Sequence, residues 1–212
     1  MQVYGFPNSR STRVIWALEE AEAEYDYILV DLTQGDHRKP AYLNLNPGGK
    51  VPALVHGDLV LTESAAICTY VGEQFPASGL VPPPDQPTER AHYFQWCFFA
   101  MSELETPLWT MVKHARLLPE EYRVAAIANT CLWEFQRATH VLEHHMKGRE
   151  YAVGDHFSAA DILLTGMLNW ALQQSIALES PTLQAYAERA GLRPALARAR
   201  QREAQAAGAR PQ

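Results

Sequence analysis

Three short segments near the N-terminus carry residue types whose spacing suits a small charged ligand. The first is Pro7-Asn8-Ser9-Arg10-Ser11-Thr12-Arg13, which leads into a helical pattern. A hydroxyl there lies beside the unpaired N–H groups of a helix start and the positive end of its dipole, a setting that favours an anion. Ser9 or Ser11 serves equally as a plain helix cap. The second is Gly49-Lys50-Val51-Pro52-Ala53-Leu54, a proline opening a strand. A cis Val51–Pro52 bond turns the Val51 N–H and C=O toward a ligand; a trans bond leaves an ordinary strand-start proline. The third is Leu61-Thr62-Glu63-Ser64-Ala65, at the start of another helix. There Ser64 and the helix N-terminus suit a carboxylate, and Glu63 suits an ammonium. The alternative is that Thr62 or Ser64 is a cap and Glu63 a favourable first-turn acid. Taken together, an anion-stabilising hydroxyl, an exposed strand backbone, and paired carboxylate and ammonium binders fit a small zwitterionic peptide carrying a thiol.

The elements that must hold these segments are readable from periodicity. Gln2–Gly5 is a short strand. Val14, Ala17, Leu18 and Ala21 recur as the apolar stripe of an amphipathic helix. Tyr27-Ile28-Leu29-Val30 is a second strand. Ala53–His56 and Leu59–Leu61 flank Gly57-Asp58 and predict a hairpin. Ala65, Ala66, Ile67, Tyr70 and Val71 predict a helix ending near Phe75-Pro76. A β-α-β opening implies parallel strands and the hairpin adds antiparallel ones, so the sheet is mixed. A proline-rich run, residues 76–85, then reads as a linker.

Beyond it everything is helical. Residues 88–114 form a long apolar-rich pattern that Pro107 should kink or break. Pro119 opens a second long helix reaching Met146, and proline costs little at such a position. In Phe157-Ser158-Ala159-Ala160-Asp161-Ile162, Ser158 and Asp161 have the spacing of a capping box, with Phe157 and Ile162 as its hydrophobic staple. Two shorter helices begin near Ser180-Pro181 and Arg193-Pro194.

Composition bounds the function classes. The 212 residues, 47% of them hydrophobic, suffice for one large or two small cores and exclude collagen-like or disordered chains. No apolar run approaches the ~18 residues that span a bilayer, and no signal-peptide pattern opens the chain. Cys68, Cys97 and Cys131 form no C-x-x-C pair, so a reducing, cytoplasmic setting without structural zinc is expected. The net charge of −6 is unsuited to coating nucleic acid. From Glu188 onward six Arg face two Glu, and their alternation with alanine reads as a solvated helix face.

Several residues invite functional readings that bland ones outweigh. His140 and His144, at i and i+4, have a spacing that can hold a metal, but no third ligand accompanies them, so no metal is expected. Cys68, on a stripe with Ile67 and Val71, reads as a buried small hydrophobe. Arg13 reads as an exposed helix arginine adding to the positive field near Ser9. The cluster Tyr93, Phe94, Trp96, Phe98, Phe99 and Trp109 exceeds one core stripe, so part of it is expected at a pocket or a subunit contact.

Four motifs in order give the chain a resemblance to the cytosolic glutathione S-transferases over nearly its full length. They are Ser9-x-x-x-Arg13, Asn46-Pro47-Gly48-Gly49-Lys50-Val51-Pro52-Ala53-Leu54, Leu61-Thr62-Glu63-Ser64-Ala65-Ala66-Ile67, and Gly154-Asp155-x-Phe157-Ser158-x-x-Asp161-Ile162. The resemblance implies an α/β thioredoxin-like domain over residues 1–78, with a mixed four-stranded sheet and a cis Pro52. A linker at 79–86 and an all-α domain over 87–212, contributing a pocket for an electrophile, follow. A homodimer and a detoxification role are also implied.

Carried over by position, Ser9 resembles the catalytic serine of the bacterial-type, serine-class members, with Ser11 and Asn8 as alternatives. Lys50 matches the residue meeting the glycine carboxylate of glutathione, and Val51, ahead of Pro52, the one whose backbone pairs with the cysteinyl unit. Glu63 and Ser64 match the γ-glutamyl binders. No cysteine occupies 9–12, so the cysteine-type, disulfide-reducing classes are not resembled. The expected activity is attack of a stabilised glutathione thiolate on a small apolar electrophile. The alternatives are a non-catalytic module of the same fold, or an isomerase, peroxidase or lyase using the same thiolate.

Overall fold

The computed structural model describes residues 1–208. Two compact units emerge: Met1–Val81 together with the chain from Leu192 onward, and Pro82–Gly191. The first break falls inside the expected linker. The last helix, expected within an all-helical domain over 87–212, groups instead with the first unit.

The first unit is built on strands β1 (Gln2–Gly5), β2 (Asp26–Leu29), β3 (Ala53–His56) and β4 (Leu59–Thr62), ordered β2-β1-β3-β4. β1 and β2 are parallel and the other pairs antiparallel, giving the expected mixed sheet. Helix α1 (Ser11–Glu20) buries Val14, Ile15, Ala17 and Leu18 and packs on α3 (Ser64–Gln74). The short helix α2 (Pro40–Leu43) contributes Tyr42 to a separate apolar cluster with Val30, Val51 and Ala53, against which Tyr4 and Phe6 pack. Alternation along β1 explains the division: Tyr4 points to that cluster, Val3 and Gly5 to the opposite face.

Helix α9 (Pro194–Gly208) closes this unit by packing on α1 and β2. Ala195, Leu196 and Ala199 are buried. Its arginines are more than a solvated face. Arg193 grips Glu20 through two hydrogen bonds of 2.5 and 2.7 Å, and Arg198 donates to Glu19 at 2.9 Å. The Arg202 guanidinium lies 5.1 Å from the centre of the Tyr25 ring.

The second unit is helical: α4 (Pro87–Phe99), α5 (Thr106–Val112), α6 (Ile127–Met146), α7 (Ala159–Gln173) and α8 (Pro181–Gly191). Between α4 and α5 the chain widens into a π-helical stretch, Ala100–Glu105, just ahead of Pro107. Widening frees carbonyls that a proline cannot bond, so the pattern is deformed rather than broken. The expected helix from Pro119 begins only at Ile127. The Arg123 side chain donates to the carbonyls of Leu118 and Arg116, and the Val124 N–H donates to His114 Nδ1. Those bonds hold 118–124 in a non-α path. Ser158 and Asp161 form the capping box of α7, with the Asp161 carboxylate accepting from the Ser158 N–H and O–H at 2.8 and 2.9 Å. The Ala152 N–H and Tyr186 hydroxyl complete its shell at 2.8 and 2.6 Å. Burial pushes the Asp161 carboxyl above its ordinary range, and these four donors oppose that shift.

Candidate active site

Strand register brings the three candidate segments together. Tyr4 pairs with Ala53, and Ala53 with Thr62. Beyond that row β1 runs on into Phe6 and the Ser9 loop, β3 is preceded by Val51 and Pro52, and β4 is followed by Glu63 and Ser64. All three segments therefore leave the sheet at one end.

In the first segment the two serines divide the work. Ser11 is fully buried, and its hydroxyl oxygen accepts from the Phe6 N–H at 3.2 Å and the Ser9 hydroxyl at 3.0 Å. A close approach makes this possible: a Cβ on Gly5 would lie 2.8 Å from both Ser11 Cβ and the Tyr27 ring. Ser9 stays partly exposed. Its oxygen accepts the first helical amide, the N–H of Ser11, at 3.1 Å, and its O–H also reaches the Phe6 carbonyl at 2.6 Å. The N-cap of α1 is Arg10, with no side-chain capping bond, so neither serine is the cap residue itself; Ser9 bonds the first helical amide from one position ahead of Arg10. Asn8 is exposed, with its backbone in the left-handed region at φ 54°.

In the second segment the Val51–Pro52 bond is cis. Val51 lies outside the β-ladder, which begins at Ala53. The Lys50 carbonyl is pinned by the Tyr42 hydroxyl at 2.5 Å and Asn46 Nδ2 at 2.7 Å, while Asn46 Oδ1 accepts from the Gly48 N–H. Burial pushes the Tyr42 hydroxyl up to about 12, so it remains a donor at neutral pH. With its backbone held, the Lys50 side chain projects into solvent.

In the third segment Ser64 is buried and Glu63 exposed. Glu63 sits at φ 68°, ψ 113°, a backbone region that costs an L-residue about 1–3 kcal/mol and that recurs at functional sites. No sequence pattern signalled this strain. Arg13, expected on the surface, is instead buried, and its Nη1 donates to the Ser64 hydroxyl at 3.1 Å. It thereby ties the first segment to the third. Cys68 is buried as expected, with its Sγ 3.5 Å from the Arg13 carbonyl.

In the second unit His140 approaches Glu143 at 3.7 Å on an exposed helix face. The aromatic cluster divides. Tyr93 and Trp96 are buried, whereas Phe98 is 69% exposed and stacks on Phe94. Among the described residues no helix is long and apolar enough to cross a membrane.

Residues 1–73 match the model of the glutathione S-transferase N-terminal domain, and residues 105–194 that of the C-terminal domain. Glutathione S-transferase 1 of Dianthus caryophyllus is 34% identical over 77% of this chain and 74% of its own. Disulfide-bond oxidoreductase YfcG of Escherichia coli is 30% identical over 94% of both chains. The structure of a sphingomonad glutathione S-transferase complexed with glutathione superposes with a TM-score of 0.83 at 30% identity, covering 96% of this chain and 99% of that one. A thioredoxin-like sheet, a helical unit and similarity across nearly the whole chain lead to one conclusion: the chain belongs to the glutathione S-transferase family.

Proposed function

We propose that this glutathione transferase binds glutathione across the three segments and uses the Ser9 hydroxyl to stabilise its thiolate for attack on a small apolar electrophile. One observation carries the choice of residue: Ser11 is enclosed and occupied in holding the loop, while Ser9 remains at the surface where the helix begins. Lys50 meets the glycine carboxylate, the Val51 backbone ahead of Pro52 pairs with the cysteinyl unit, and Glu63 and Ser64 receive the γ-glutamyl end.

Magnitudes support the mechanism. A cysteine-like thiol titrates near ~8.5, and lowering it by ~2 units requires about 2.7 kcal/mol of preferential thiolate stabilisation. A hydrogen bond to a charged acceptor contributes about 1.5–3 kcal/mol and a helix N-terminus ~0.3–1. The Ser9 O–H must first leave the Phe6 carbonyl, a neutral bond worth about 1 kcal/mol net. Ser9→Ala is therefore expected to raise the pKa of bound glutathione by about 0.5–1.5 units while largely keeping its affinity. The pH profile of kcat/KM tests this. A silent Ser9→Ala removes the serine mechanism, and binding without turnover in the wild type favours a non-catalytic module.

The similarity to a disulfide-bond oxidoreductase supports a second reading, in which the same thiolate attacks a disulfide. Parallel assays with an aryl halide and a mixed disulfide separate the two. We further propose a cytoplasmic homodimer with a detoxification role. The exposed Phe98, stacked on Phe94 with Arg90 over the latter ring, supports a subunit contact. Light scattering that returns the mass of a single chain contradicts it.

A further inference from the structure

Helix α9 carries one acidic residue that docking alone does not explain. Glu203 is 2% exposed, on the buried stripe it shares with Ala195 and Ala199. The Thr12 hydroxyl lies 3.0 and 2.9 Å from its two oxygens, and the Asn8 backbone N–H favours its charged form. Asn8 and Thr12 bracket Ser9, one on each side. Asn8 is also the left-handed residue at which the loop turns.

We propose that Glu203 is a positioning residue for Ser9: its carboxylate holds the Asn8 N–H and the Thr12 hydroxyl together and so fixes the turn that presents the Ser9 hydroxyl. The inference rests on the serine reading given above and extends it to a residue 191 positions beyond Thr12.

The surroundings of Glu203 favour this role over simple packing. From β2 the Tyr27 hydroxyl faces the same interior, buried and without a hydrogen-bond partner. From α9 itself Arg200 is the cation that favours the charged form. Burial outweighs Arg200 and the two donors and pushes the carboxyl up to about 7. An apolar residue would fill the site without that desolvation penalty. What it could not supply is a two-oxygen acceptor for donors on both sides of Ser9.

The test compares wild type, Glu203→Gln, Thr12→Val, Ser9→Ala and the Ser9→Ala/Glu203→Gln double variant, reading the ultraviolet titration of the bound glutathione thiolate. Glutamine keeps the shape but supplies only one acceptor oxygen. Glu203→Gln is expected to raise the pKa of the bound thiol by roughly 0.5–1 unit, which lowers the thiolate fraction at pH 7 about 1.5-fold to threefold, with glutathione affinity changed less than about threefold. Thr12→Val is expected to move the titration the same way by less, and it carries the test if Glu203→Gln does not fold. In the Ser9→Ala background Glu203→Gln is expected to add nothing. Unmoved titrations in Glu203→Gln and Thr12→Val beside a shifted Ser9→Ala overturn this inference alone. A Glu203→Gln shift that persists without Ser9 overturns action through Ser9. An unmoved Ser9→Ala overturns the serine reading beneath both.

Discussion

Arg13 in α1 and Ser64 at the start of α3 are joined by a 3.1 Å hydrogen bond between two buried side chains. That bond orients the hydroxyl proposed to meet the γ-glutamyl end of glutathione. Arg13→Met keeps the bulk and removes the donor. It is expected to cost about 1–3 kcal/mol of stability and to raise KM for glutathione more than it lowers kcat. Urea midpoints and steady-state kinetics check both parts.

Gly5→Ala tests the close approach beneath the Ser9 loop. The added methyl meets Ser11 Cβ and the Tyr27 ring at 2.8 Å, so one of them must shift. Overpacking of this kind costs about 1–3 kcal/mol. Because Ser11 also receives the Ser9 hydroxyl, kcat/KM is expected to fall along with the melting temperature. A variant with lowered melting temperature and intact kcat/KM contradicts the link between the two serines.

Glu203 gives stability a pH dependence of definite sign. Its carboxyl is raised from an ordinary 4.5 to about 7, so between those values the folded protein binds more protons than the unfolded chain. The contribution is fully present below pH 4.5 and is lost as pH rises through about 7, a change of about 3 kcal/mol. Glu203→Gln removes that slope. Its stability relative to wild type is therefore expected to climb by about 3 kcal/mol between pH 4.5 and 8, measured as urea midpoints at each pH. A constant difference contradicts the shift.

Ser158→Ala serves as a control in the second unit. It removes one of the four donors to the buried Asp161 carboxylate together with the helix cap. A loss of about 1–3 kcal/mol is expected, with the thiolate titration of bound glutathione unchanged. Thermal melts beside that titration check it.

Local pattern made the strands, the hairpin and the capping box legible, and with them the loops and helix starts that carry the three candidate segments. The missed features depend on particular side-chain and backbone contacts that hydrophobic periodicity does not encode. Pro119 looked like a helix start because nothing nearby shows that Arg123 will hold the carbonyls of Leu118 and Arg116. The strained backbone of Glu63 is set by the register of β3 and β4 and the entry to α3. Two misses did leave a trace. Arg13 stands four residues before Ala17 on the buried stripe of α1, and Glu203 four after Ala199 on that of α9. A charged residue on an apolar stripe needs an interior partner, and each of these has one.

The way α9 closes the first unit bears on the order in which the protein matures during synthesis. The Ser9 loop is made well before the carboxylate proposed to hold it, since Glu203 follows Thr12 by 191 residues. Chains grow at roughly 5–20 residues per second, so the loop waits roughly 10–40 s before its clasp arrives. A chain terminated between the end of α8 and residue 203 would contain the strands, the serine and every proposed glutathione contact, yet lack the clasp. Such fragments are therefore expected to be poor catalysts as well as unstable, which ties the proposed thiolate chemistry to chains translated past Glu203.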